Sequence, residues 1–348
     1  MRCPIVLLLM LYGSLPLFAQ STTLDEARFA GAFLTHYDFF SALHPRLEGS
    51  HQEKQAVAYI LKKLDELDSG YSHVDFNDLN RGHSFSSSIY VAIPGILPDE
   101  LLIVAPLNSR EKSLYGRDGA VNLSLALALV EAFVDRAPPI SLNVLFLGSE
   151  FGTEELYPMG TGKFLDDYFP EFNTAVIYLD FEGPPARVII RSGDSNFVAP
   201  YWLTDQCKKN MDREGIYSLV RGNENQFYRL GTAANPAPLY PYLADEYPAI
   251  SFHSSQSLMD RSELPTWAAS FSRFFDGFIE ANIEGFPEEW DRHYLFFQAR
   301  NFSLLINERS YILIFICILG FMVVYPLVMP KRFKSYALSI FQNLWALP

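Results

Sequence analysis

The chain has 348 residues, 49% of them hydrophobic, and a formal net charge of −13. That size and apolar content suffice for one large α/β domain, and the acidic balance argues against a nucleic-acid partner, because phosphate binding needs a basic face. Of the cysteines, Cys3 and Cys317 fall in apolar ends and only Cys207 lies between them, so no disulfide framework is expected in the body of one chain.

Residues 1–19 have Arg2, the apolar run Ile5 to Tyr12 and a small residue, Ala19, before Gln20. This is the pattern of a secretory signal peptide, with an uncleaved anchor as the alternative. Residues 20–300 are expected to form the extracytoplasmic domain, 301–310 a juxtamembrane linker, 311–329 a transmembrane helix and 330–348 a cytoplasmic tail. The run Tyr311 to Met329 carries no charge, while Lys331, Arg332 and Lys334 follow it at once, which places the basic side in the cytoplasm. The tail from Ser335 to Pro348 is apolar and too short to span, which suits the membrane interface.

Between these ends there is no internal repeat and no low-complexity segment. Leu24 to Leu43 has helical spacing, and His51 to Leu67 is a clearer amphipathic helix with Ala56, Ile60, Leu64 and Leu67 on its apolar stripe. Ser88 to Ile93 is a strand candidate before the Pro94-Gly95 turn. The central unit runs from Leu101 to Phe133: a continuous apolar strand, Leu101 to Ala105, a polar loop, and an apolar helix, Val121 to Phe133. Further strands are expected at Ser141 to Leu147, Ala175 to Leu179, Arg187 to Ile190 and Ala249 to Phe252, with helices over Phe197 to Arg213 and Trp267 to Ile283. Strands alternating with helices predict an α/β fold with a mainly parallel, mixed sheet flanked by helices.

In such a sheet, ligands bind beyond the carboxyl ends of the strands. Collected there are Asn108, then Glu150, Glu154 and Glu155, then Asp180, then His253. Several carboxylates with one histidine at a sheet edge suit a divalent metal, although loops are polar in any case. Gly148 to Gly152 superficially resembles a nucleophile elbow, but its serine is not centred between the glycines. His36, His44, His51, His73 and His83 lack ligand spacing and are expected at the surface or an interface.

From Leu43 to Ile283 the chain resembles the co-catalytic zinc aminopeptidases and carboxypeptidases of metallopeptidase family twenty-eight, which includes glutamate carboxypeptidase and the non-catalytic ectodomain of nicastrin. The resemblance rests on HPRLEGSHQEKQAVAYI, on Leu101 to Glu131, on EELYPMGTGKFL, on AVIYLDFEG and on PAISFHSS, in that order. It implies a zinc-exopeptidase-like fold and a site in which His, a bridging Asp, Glu, Asp and His hold two zinc ions while a second Glu serves as general base. Carried over residue by residue, the first histidine falls on Pro106 and the bridging aspartate on Asn122. Asp180 and His253 match the later ligands, with Glu154 as base and Glu155 as ligand. An alternative alignment makes Glu150 the base and leaves Phe151 at the ligand position. Two dications need anionic ligands, above all the bridging carboxylate. The expected cofactor is therefore none, or weakly bound zinc on Glu155, Asp180 and His253, and two zinc ions follow only if the domain is an exported aminopeptidase with an altered site. The expected role is non-catalytic binding of a peptide or protein, and Pro106→His with Asn122→Asp is expected to restore zinc affinity.

Overall fold

The computed structural model describes residues 25–78, 84–109, 119–151, 159–168, 173–221, 239–254, 259–287, 294–299 and 302–343. The signal-peptide stretch, His83, Glu154, Glu155 and Trp345 lie outside these residues.

Helix α1 (Glu26–Ala42) starts where the Asp25 carboxylate accepts from the Ala27 and Arg28 amides. Helix α2 (His51–Glu66) is capped at Ser50, whose hydroxyl accepts from Glu53 N–H, while the Glu53 carboxylate reaches back to Gly49 N–H at 2.6 Å. Strands β1 (Tyr71–Asp78) and β2 (Ser84–Ile93) form an antiparallel pair. Strand β3 (Leu97–Pro106) leads to α3 (Ala120–Phe133), β4 (Ile140–Leu147), α4 (Met159–Asp167) and β5 (Thr174–Asp180).

Then come β6 (Val188–Arg191), the short hairpin β7 (Gly193–Asp194) and β8 (Phe197–Val198), α5 (Tyr201–Arg213), β9 (Ser218–Val220) and α6 (Tyr240–Ala244). The body closes with β10 (Ala249–Ser254) and α7 (Leu264–Ala281). The helix expected from Phe197 begins four residues later, because Pro200 takes its N-cap position and Phe197 and Val198 pair in the hairpin.

Eight strands make one sheet in the order β1-β2-β4-β3-β5-β10-β6-β9. Its centre, β4-β3-β5-β10, is parallel throughout, and antiparallel pairing is confined to β1/β2, β2/β4 and β10/β6. Residues 101–106 of β3 and all of β5 are buried, as a parallel strand covered on both faces requires. Helix α3 is apolar on every side because it lies between the sheet and α1, and only Glu131 and Ala132 reach partial exposure. Its Glu131 accounts for a correction: His36 on α1 is buried, with Nε2 at 3.0 Å from Glu131 Oε1 and Nδ1 at 2.9 Å from the Tyr59 hydroxyl.

After the body, β11 (Leu295–Ala299) and β12 (Phe302–Ile306) form a separate hairpin, so the stretch 301–310 holds a strand. Helix α8 (Glu308–Val328) follows, capped by Asn307, and its segment Glu308–Pro326 is long and apolar enough to cross a membrane. Helix α9 (Pro330–Asn343) begins two residues after it ends.

Candidate functional site at the carboxyl edge of the sheet

The parallel register brings the carboxyl ends of the four central strands side by side. Pro106 at the end of β3 pairs with Leu147 at the end of β4, and His253 on β10 pairs with Asp180 on β5. Because their strands are neighbours in register, His253 Nδ1 comes within 3.1 Å of Asp180 Oδ2. Pro106 offers neither an N–H nor a side-chain donor, and it stands beyond Val104, where the pairing of β3 with β5 ends.

Two buried asparagines dominate the loops beyond these ends. Asn108 accepts from Glu150 N–H through Oδ1 and donates through Nδ2 to the Phe151 carbonyl, both at 3.1 Å. Asn122, in the first turn of α3, accepts from Phe181 N–H at 2.9 Å and donates to the Phe181 carbonyl at 3.3 Å. Each amide thus satisfies one donor and one acceptor of a neighbouring segment, which a carboxylate, having no donor, cannot do. Gly119, at the N-cap of α3, has φ of +76°, and a Cβ there would meet Arg46 Nη2 at 2.8 Å. Arg46 is itself buried, donating from Nε to the Leu107 carbonyl and from Nη1 to the Phe40 carbonyl.

Glu150 stands directly after β4 and is buried. Its Oε1 accepts from the Thr161 amide at 2.6 Å and the Thr161 hydroxyl at 2.9 Å, and its Oε2 from the Tyr178 hydroxyl at 2.8 Å. Since the one Thr161 hydroxyl proton points to Glu150, the Tyr242 hydroxyl, 3.5 Å away, is the donor to Thr161. Burial pushes the Glu150 carboxyl up to about 7, with Asp180 adding to the rise and the three donors opposing it. Burial likewise holds the Tyr178 and Tyr242 phenols well above their usual range, so both remain donors. Helix α4 approaches closely because residue 160 is a glycine: a Cβ there would fall 1.9 Å from the Gly148 carbonyl oxygen.

Of the residues singled out in the sequence, Asp180 and His253 are together, and Glu150, Asn108 and Asn122 are tied to neighbouring segments. Glu154 and Glu155 fall outside the described residues. Among the described residues no three His, Cys, Asp or Glu side chains gather as a metal-holding group. Sequence reasoning passed over Tyr178 and Arg46. Strand alternation carried the signal for the first, since Tyr178 lies two residues before Asp180 and so on the same face.

The TP_0564_1st model, described as family, first domain, matches residues 124–306, just over half of the chain. No curated protein matches the chain in sequence. Its fold is similar to that of an Acidobacteriales bacterium glutaminyl cyclase, with a TM-score of 0.56 and 13% identity over 77% of this chain and 98% of that one. It is also similar to a leucine aminopeptidase precursor from Bacteroides thetaiotaomicron (TM-score 0.52, 13% identity, 72% and 96% covered). A Zn-dependent exopeptidase from Parabacteroides distasonis gives a TM-score of 0.51 at 13% identity, with 72% and 97% covered. At such identities the likeness is one of fold, and the architecture is zinc-exopeptidase-like.

Proposed function

The chain belongs to the TP_0564_1st family, and from its zinc-exopeptidase-like fold and the chemistry at the strand ends we propose a membrane-anchored, extracytoplasmic peptidase-like domain that binds a peptide or protein without hydrolysing it. The observation that carries this reading is Asn122. Where the resemblance puts a carboxylate bridging two zinc ions, this amide is neutral, and both its polar atoms are committed to the backbone of Phe181. Pro106 removes a second ligand, and the Glu150 carboxyl already accepts three hydrogen bonds from protein donors. The described donor set therefore does not fit a dinuclear zinc centre, whose two charges require anionic bridging.

A second reading, an exported zinc-dependent aminopeptidase with an altered site, is favoured by one observation: Asp180 and His253, both ligands by resemblance, lie within 3.1 Å of each other. Metal analysis of the purified full-length chain after equilibration with zinc, run beside an assay on peptides with free amino termini, separates the two. Less than one zinc per chain and no hydrolysis are expected. Two zinc ions per chain with peptide release would overturn the binding reading.

In this reading α8 is the anchor, and the cations Lys331, Arg332 and Lys334 beyond it support a cytoplasmic far end. Protease added to intact cells should digest the domain. Protection of the domain with digestion of the C-terminus would reverse the orientation.

A further inference from the structure

We propose that α9 is a membrane-surface helix that recognises anionic lipid headgroups. The inference rests on α8 crossing a membrane. Residues 330–348 carry three cations, Lys331, Arg332 and Lys334, and no carboxylate, in a chain whose net charge is −13. All three cations stand in the first five positions of α9. At 3.6 residues per turn, positions 333, 336, 337 and 340 share one arc, while 331, 332, 335, 339 and 342 fill the opposite one. Phe333 and Tyr336 are 44% and 62% exposed, Lys334 falls between the two arcs, and Leu338, 51% exposed, sits beside Lys331 at the edge of the polar one.

An apolar arc whose described side chains, Phe333 and Tyr336, stand exposed, backed by a polar arc, is the design of a helix lying in the plane of a bilayer. Position then commits it to lipid. Helix α9 starts two residues after α8 ends, and only Met329, with φ of −131° and ψ of 63°, breaks the helical path between them. A single straight helix over both would be about 54 Å long, well beyond the hydrocarbon thickness of about 30 Å. The break lets α9 lie flat at the depth where Lys331, Arg332 and Lys334 meet phosphates. Because α8 already holds it at the surface, docking costs little translational freedom. Each cation near an anionic leaflet favours docking by about fivefold, so the three together favour it by roughly a hundredfold.

The test uses the full chain, with Cys3 and Cys317 replaced by serine, reconstituted in phosphatidylcholine vesicles with or without phosphatidylglycerol. Single nitroxide labels are placed at 319, 333, 335, 336 and 339, and their collision rates with oxygen and with a water-soluble nickel chelate are measured. With phosphatidylglycerol, labels at 319, 333 and 336 should be in the acyl phase and those at 335 and 339 in water. Changing Lys331, Arg332 and Lys334 to Gln should weaken docking of 333 and 336 roughly a hundredfold without moving 319. A label at 319 in lipid with 333 and 336 in water overturns the proposal. So does docking that is indifferent to phosphatidylglycerol, or that depends on the protein-to-lipid ratio, which would mean that a second copy covers the helix. Water at 319 would instead remove the membrane span itself, and the proposal with it.

Discussion

Asn122→Asp, the change that would return a carboxylate to the site, should destabilise the protein in the absence of metal, and in a pH-dependent way. Asn122 is 2% exposed, and its Nδ2 donates to the Phe181 carbonyl at 3.3 Å. In the variant one carboxylate oxygen keeps the bond from Phe181 N–H, but the other confronts that carbonyl, acceptor against acceptor. Losing the donor costs about 1–3 kcal/mol. That loss appears on ionisation: burial and the opposed carbonyl raise the introduced carboxyl by roughly two units, each about 1.4 kcal/mol, so the penalty at pH 8 is about 3 kcal/mol. The sign follows from protonation: a carboxyl raised in the folded state is bound to its proton there at pH values where the unfolded chain has released it. The penalty is thus small near pH 4, where the acid O–H can donate to Phe181, grows as pH rises to about 6, and is constant above that. Guanidinium unfolding of variant and parent in mild detergent, followed by tryptophan fluorescence, measures the difference at the two pH values. A difference below about 0.5 kcal/mol at pH 8, or one equal at both pH values, would refute the role given to Asn122. The combined variant with Pro106→His supplies a second check, because zinc at a hundred times its Kd should restore about 2.7 kcal/mol if the imidazole and carboxylate complete a site.

Three further outcomes follow from the same geometry. The carboxyls of Glu150 and Glu53 are both pushed up from 4.5 to about 7, chiefly by burial, so the stability they confer is fully present below pH 4.5 and lost as pH rises through 7, roughly 1–3 kcal/mol each. Glu150→Gln should flatten that decline in denaturant unfolding between pH 5 and 8, since a glutamine can still accept from Thr161 and donate to Tyr178. Gly160→Ala should destabilise the protein by more than about 2 kcal/mol in the same denaturant unfolding, as its Cβ would sit 1.9 Å from the Gly148 carbonyl oxygen. Arg46→Met should cost roughly 2–5 kcal/mol in the same assay, because the buried Leu107 and Phe40 carbonyls each lose a charged donor, at about 1–3 kcal/mol apiece.

The centre of the fold was legible because its residues are apolar in runs too long for chance: Leu101 to Ala105 and Val121 to Phe133 announce a buried strand and a buried helix. The edges were not. Strand β1, YSHVDFND, exposes Tyr71 and Val74, and its pairing depends on β2 rather than on its own pattern. The β11-β12 hairpin was hidden for the opposite reason, its apolar residues running toward α8 without a Gly-containing turn. His36 was readable, since Phe29, Phe33, His36 and Phe40 recur at helical spacing on the buried face of α1. The asparagine clamps were not. A sequence shows that residue 122 is an amide, but not that its target lies 59 residues away.

Those clamps bear on what the sheet edge can do. Polar links join the carboxyl ends of β3 and β4 and of β5 and β10, and another ties the end of β5 to the start of α3. Asn108 after β3 grips residues 150 and 151 after β4, and Asn122 joins the start of α3 to Phe181 after β5. His253 joins β10 to Asp180 on β5, and Tyr178 on β5 reaches Glu150 across the span of β3. These links tie the described strand ends to one another, and a surface already held in place loses less entropy when it takes a ligand. Hydrolysis asks for more: an electrophile, and a base with a free lone pair aimed at water. Glu150 has the acidity suited to a base near neutral pH, but its carboxyl faces three protein donors. The links that hold these strand ends together also occupy both polar atoms of Asn122 and three of the acceptor positions of Glu150.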